Sequence, residues 1–159
     1  MEPPPLPIPL WDGILLEDSK TVLQWGSTRE EAWKTAKPAH HNLPDDDTRI
    51  EWDERILGGL TCRLLAYLPD SQRLYSVMVW LLLPEDSYWK NDALYCYCRF
   101  FDHLLARIGT PKMRPGSGYA PILTWAHEGC MLQLYTGERH GNFTTLEICH
   151  GKRPSLPVE

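Results

Sequence analysis

The chain has 159 residues and a formal net charge of −5, with hydrophobic residues at 43% and charged residues at 23%. That length builds one ordinary domain and excludes two independent cores, while the balance excludes a disordered or fibrous chain and the acidic sign argues against a binder of nucleic-acid backbones. The longest apolar run, at 77–83, stops at Pro84; it falls well short of the ~20 residues that cross a bilayer, so a soluble protein is expected.

Residues 1–13 carry five prolines but no basic region and no unbroken apolar stretch. They read as a proline-rich arm, extended and either solvated or loosely docked, rather than as a signal peptide. Residues 14–16 and 22–25 flank Asp18-Ser19-Lys20, the pattern of a short hairpin. Ser27 followed three residues later by Glu30 matches a capping box, so a helix is predicted to start there and to end before Pro38. After a polar loop at 40–47, residues 49–56 alternate: Ile50, Trp52 and Ile56 share one side, and Arg49, Glu51, Asp53 and Arg55 share a wet one. Strands are predicted at 60–68 and 74–83. The second is apolar on both faces, which predicts a central strand covered on each side.

A long helix is predicted within 88–111. Leu94, Tyr97, Cys98, Phe101, Leu104, Leu105 and Ile108 recur at three- and four-residue steps, Ser87 can cap the start, and Gly109 with Pro111 stops it. A Gly/Pro-rich loop and strands at 121–126, 130–135 and 143–149 follow. Trp125 takes the place in this second set that Trp52 takes in the first, and Leu132-Gln133-Leu134 mirrors Cys62-Arg63-Leu64. An αβββ unit is thus predicted twice, at 26–83 and 87–150, within a single α+β domain over 14–150 that ends in a tail at 151–159. Hairpin-length connections demand a mostly antiparallel sheet, and the helices need one apolar face to cover, which leaves the other face free.

Cys62, Cys96, Cys98, Cys130 and Cys149 are odd in number and sit in apolar segments, the usage of buried thiols in a reducing compartment; the cytoplasm is the expected location. Cys96 and Cys98 diverge by about 200° on a helix and cannot easily share an ion. His40, His41, Asp45, Asp46 and Asp47 could serve a small metal-dependent hydrolase. Adjacent histidines rarely converge on one ion, however, and no second ligand pair accompanies them, so a solvated loop is the preferred reading. His127 and His140 fall in consecutive turns at opposite ends of a strand, and Ser117, within Gly116-Ser117-Gly118, lacks the strand and helix of a nucleophile elbow. No catalytic residue, metal or cofactor is therefore assigned, and an enzyme is not expected.

The residues that fit protein contact are the acidic set Asp45, Asp46, Asp47, Glu51, Asp53 and Glu54, with Trp11, Trp33 and Trp89 at element edges as aromatic anchors. Trp52, Trp80 and Trp125 are expected in the core. An acidic strand can equally be an ordinary guarded edge. The segment from Trp25 to Glu31, then Trp52 and two strands, then 104–111, Trp125 and two more strands, resembles in layout the small bacterial immunity proteins that neutralise antibacterial toxins, and the tandem helix-and-sheet plan of β-lactamase inhibitor proteins. The resemblance spans 14–149 and implies a cytosolic, non-enzymatic inhibitor that occludes a partner's active site, its acidic residues meeting a basic protein; it carries over no site residue. The absence of a secretory leader departs from the secreted inhibitors. An adaptor or secretion chaperone that pairs an extended segment with a sheet edge is the alternative.

Overall fold

The computed structural model describes residues 3–36, 49–69, 71–88, 92–116, 120–137 and 143–151. In chain order it contains β1 (Gly13–Leu16), β2 (Thr21–Gln24), α1 (Arg29–Thr35), β3 (Arg49–Ile56), β4 (Leu60–Tyr67), β5 (Ser76–Leu81), α2 (Ala93–Ile108), β6 (Lys112–Arg114), β7 (Ile122–His127), β8 (Cys130–Gly137) and β9 (Phe143–His150). β1 and β2 make a separate ribbon. The other seven form one sheet in the order β3-β4-β5-β9-β8-β7-β6, every neighbouring pair antiparallel. The fold is α+β, and among the described residues no helix is long and apolar enough to cross a membrane.

Strand alternation decides which face is covered. Opposite residues on paired strands share a face, so the register links Trp52, Leu64, Val79, Leu146, Leu134 and Leu123 into one row across six strands. All six are buried. At roughly 1.5–3 kcal/mol for each large apolar side chain removed from water, this row and its neighbours supply the main driving force of the fold. α2 lies on this face: the Thr144 hydroxyl donates to the Ala93 carbonyl, and the Tyr97 hydroxyl donates to Pro121 O at 2.7 Å. Each tryptophan of the row's two outer strands meets a helix end. Trp52 Nε1 donates to Ala36 O, the C-cap of α1, at 3.2 Å, and Trp125 Nε1 donates to Gly109 O, the C-cap of α2, at 2.8 Å. These bonds satisfy carbonyls that a helix terminus leaves without internal partners.

Four predicted features shift. The capping box of α1 is formed by Thr28 and Glu31, one residue later than expected, because Ser27 Oγ donates to Gln24 O at 2.7 Å and is held in the turn after β2. α2 is capped by Asp92, not Ser87, and buries Ala93, Cys96, Tyr97, Phe100 and Leu104, leaving Leu94, Cys98 and Leu105 exposed. Its apolar residues span more than one stripe, and the sheet selects a stripe centred on Phe100. Lys112–Arg114, expected as loop, is an edge strand whose three residues are too few to show a period. β5 lies inside the sheet as expected, but only Val77 and Val79 are buried; Met78 and Trp80 face the other way and are half-exposed, which corrects the expectation of a strand covered on both sides and of Trp80 in the core.

The proline-rich arm is part of the core rather than a loose tail. Ile8 and Leu10 are buried, Leu10 N donates to Glu128 Oε2 at 2.8 Å, Trp25 Nε1 donates to Leu10 O at 2.9 Å, and His127 Nε2 donates to Ile8 O at 2.8 Å. Because a carbonyl only accepts, the His127 bond places its proton on Nε2. Alternation in this extended stretch turns Ile8 and Leu10 inward and Pro7, Pro9 and Trp11 outward, so no proline needs an N–H it lacks. Leu10→Ala should therefore lower the unfolding free energy by about 2–5 kcal/mol in a urea titration. An unchanged midpoint would show that the arm is not docked.

Candidate functional site

The face opposite the core row is covered by no described helix, ribbon or arm. α1, α2, the β1–β2 ribbon and the arm reach the sheet through the inward-facing Trp52, Thr144, Glu54 and Cys130, and the ribbon also holds Arg55 at the β3 edge. The outward row reads Glu51, Leu65, Met78, Glu147, Gln133, Thr124 and Lys112, one residue from each strand. Beside it lie Asp53, Arg63 and Trp80 on one flank, and Tyr135 with Ile122 toward the other end. Leu65, Met78 and Trp80 on β4 and β5, and Tyr135 and Ile122 on β8 and β7 beyond β9, are all half-buried, and Tyr67 and Met131 are exposed. A face that carries these apolar side chains, with no covering layer among the described residues, fits an interaction site.

Polar groups on this face are tied locally. Arg63 clasps Asp53 with two hydrogen bonds, Nε to Oδ1 at 2.9 Å and Nη2 to Oδ2 at 3.1 Å, and the carboxylate keeps the guanidinium firmly protonated. Across β5 and β9, Cys149 Sγ donates to Glu147 Oε1 at 3.2 Å, and Ser76 Oγ approaches the same oxygen at 3.4 Å. Burial, and next the Glu147 charge, push the Tyr135 phenol above its ordinary value, so it is a neutral hydrogen-bonding group at physiological pH. At the end of β8, the Phe143 ring lies across Gly137, where a Cβ would sit 2.2 Å from it. Only glycine permits that approach, and the ring closes the rim of the apolar field.

Among the described residues, the predicted contact residues lie on different surfaces. Glu51 and Asp53 stand on the open face, but Glu54 points into the protein at 7% exposure and accepts from Ser19 N at 3.0 Å and Ser19 Oγ at 2.7 Å. Glu54 is a tie for the β1–β2 ribbon and cannot reach a partner. Trp11, 65% exposed, lies against Gly129 in the β7–β8 turn, and Trp33, 37% exposed, lies on α1 beneath the Arg29 guanidinium, 5.9 Å from the ring centroid. Both are away from the open face. Asp45, Asp46, Asp47 and Trp89, with His40, His41, Ser117 and His140, lie outside the described residues. Missed altogether were Leu65, Met78, Trp80 and Tyr135. In β5 both parities are apolar, so alternation cannot mark the outward one; only the register with Asp53 and Arg63 does.

Among the described residues, no three His, Cys, Asp or Glu side chains gather as a metal-ligand set. Burial pushes the Cys130 thiol up to about 11 and raises that of Cys62 further, which keeps both as protonated core groups. His103 of α2 donates from Nε2 to the carbonyl of Leu57, the residue that opens the β3–β4 turn in a left-handed conformation, φ 57°. Burial chiefly, and then Arg107 and Arg99, hold its pKa below 6.5, against the opposing pull of the Leu57 bond. Comparisons with protein-family models, with characterised proteins and with solved structures return no match.

A histidine whose folded pKa lies below its unfolded value favours folding in its neutral form, so its contribution is complete above about pH 6.5 and is lost as pH falls from there to the folded value. His103→Gln keeps a donor for Leu57 but removes the titration. Unfolding free energy measured between pH 7.5 and pH 5 should fall more steeply for the native chain than for the variant. Parallel curves would show that His103 is not held neutral.

Proposed function

We propose that this protein is a non-enzymatic binding protein of the immunity type, which neutralises a cognate toxin by laying the open face of its sheet over the toxin's active site. The observation that supports it is the outward face, which no described element covers, with Leu65, Met78 and Trp80 as an apolar centre on β4 and β5, Glu51 and the Asp53–Arg63 pair on one side, and Glu147 on the other, beyond which Tyr135 stands on β8. Apolar and aromatic side chains ringed by polar groups are the usual anatomy of an interface that excludes water at its middle. The partner is a basic protein, because a net charge of −5 steers such a partner toward the chain before contact. Asp45, Asp46 and Asp47 add to that long-range field by charge alone. The site of action is the cytoplasm.

The same reading includes an origin of the chain as two αβββ units. It is supported by the strand order, in which the last strands of the two sets, β5 and β9, meet antiparallel within the sheet. It is also supported by the tryptophan bonds, each reaching back sixteen residues to the end of the preceding helix. Two units joined edge to edge give a continuous sheet twice as wide, and thus a wider open face, than either could build alone.

The test is rescue of growth in cells producing the toxin encoded beside this gene, with Met78→Glu and Trp80→Glu made together. Both side chains are half-exposed, so the fold should survive, as circular dichroism and thermal melting can check. The variant should lose protection and bind the purified toxin at least about a hundredfold more weakly, the scale of truncating a hot-spot pair. Retained protection by a folded variant would remove the open face from the interface, and a neighbouring gene with no toxic product would remove the immunity reading.

A further inference from the structure

Charge is distributed unevenly along this acidic chain. Between Asp102 and Glu128 there is no aspartate or glutamate, while Arg107, Lys112 and Arg114 all fall there. Two of these three cations are on β6, which ends the sheet, so among the described residues one of its long sides has no strand beside it. Lys112, Met113 and Arg114 are all exposed, Met113 at 68%. The Arg55–Asp18 and Arg63–Asp53 ion pairs lie at the other end of the sheet, on β3 and β4.

The register fixes what the three side chains present. Lys112 and Arg114 pair with Thr124 and Ile122, so they stand on the open face; Met113 pairs with Leu123 and extends the apolar inner row past its last buried member. An edge strand keeps outward N–H and C=O groups at alternate residues, ready to accept another strand. We propose that β6 is a docking edge for an extended acidic segment of a partner protein, which adds to the sheet as an eighth strand with the pattern acidic-apolar-acidic. Its acidic residues stand opposite Lys112 and Arg114, and its apolar residue packs on Met113. Main-chain bonds supply affinity and the alternating side chains supply selection, as in other strand additions.

The same charges reject the commonest competitor. Two copies of this chain pairing antiparallel through β6 would set Lys112 of one against Arg114 of the other, and like charges directly opposite destabilise a strand pair. The edge therefore discriminates by charge: it resists itself and accepts an acidic strand. This docking edge lies two strands beyond Tyr135, at the far end of the same open face, and rests on its own charges rather than on the toxin-blocking reading.

The probe is a fluorescein-labelled eight-residue peptide alternating glutamate and valine, compared with one alternating lysine and valine, by fluorescence polarisation on the full chain. The acidic peptide should bind, at least about tenfold more tightly than the basic one, and should weaken as salt shortens the reach of the charges. Lys112→Glu with Arg114→Glu, both at exposed positions, should reverse the preference. Met113→Pro should abolish binding of either peptide by breaking the edge, with melting curves confirming that both variants fold. Amide shifts on peptide addition should concentrate at β6 and β7. Equal binding of the two peptides, an unreversed preference in the double variant, or shifts confined to β4 and β5 would each overturn the edge as the site. Self-association of the native chain that is lost in the double variant would assign the edge to a second copy instead.

Discussion

The structure depends on covering one face of a wide sheet. Seven strands about 4.8 Å apart span nearly 30 Å, whereas a helix with its side chains is about 10 Å across. α2 has sixteen residues and α1 only seven, so two helices cannot roof the inner row by themselves. The arm and the β1–β2 ribbon fill what remains, which is why a run of prolines places Ile8 and Leu10 in the core and why Leu16 and Leu23 of the ribbon are buried. With the described helices, ribbon and arm all drawn to one face, none of them covers the other.

Those extra pieces are light, and carboxylates pin them down. Asp18 accepts from the Arg55 backbone N–H and, in an ion pair of 2.7 Å, from its guanidinium; the backbone bond is the main reason its carboxyl sits below the usual range. Glu17 accepts from Gly58 N at 2.8 Å, Glu54 from Ser19, and Glu128 from Leu10 N. In each case a charged acceptor meets a backbone or hydroxyl donor, a stronger bond than its neutral counterpart. Part of the acidity that looks like a recognition patch in the sequence is therefore structural clamping. Glu54 shows the difference: one position away from Asp53, it lies on the other side of the strand and holds the ribbon.

What could be read from the sequence was whatever a local period determines. β3 is legible to the residue because polar and apolar positions alternate without exception, apart from the inward Glu54, and the strands of both hairpins fall within a residue or two of their predicted ends. Features set by distant contacts were not legible. The stripe that α2 buries depends on where Thr144 and Pro121 meet it, and a helix apolar around much of its circumference does not announce that choice. Trp80 was assigned to the core because tryptophan usually belongs there; its exposure follows from the parity of β5 against β4, which only the register reveals. The docked arm was illegible for the same reason, since its partners lie more than a hundred residues away in the β7–β8 turn.

The two candidate surfaces follow from the same one-sided architecture. A sheet covered on one face and ended by a short strand has two places where its potential is unspent: the broad apolar field in the middle of the open face, and the main-chain groups along the last edge. Edges that invite pairing are usually guarded by charge. Here the guard has a single sign, on a chain whose overall sign is the opposite. Mixed charges would have discouraged every strand alike, whereas Lys112 and Arg114 with no carboxylate on β6 or β7 discourage only basic strands and further copies of this chain. Approach of an acidic segment must overcome repulsion from the net −5, but screening confines that repulsion to about 10 Å at moderate salt, while the paired charges at the edge act in contact. The long-range field and the short-range field at β6 thus have opposite preferences: the net charge attracts a basic surface at a distance, whereas Lys112 and Arg114 attract an acidic strand in contact.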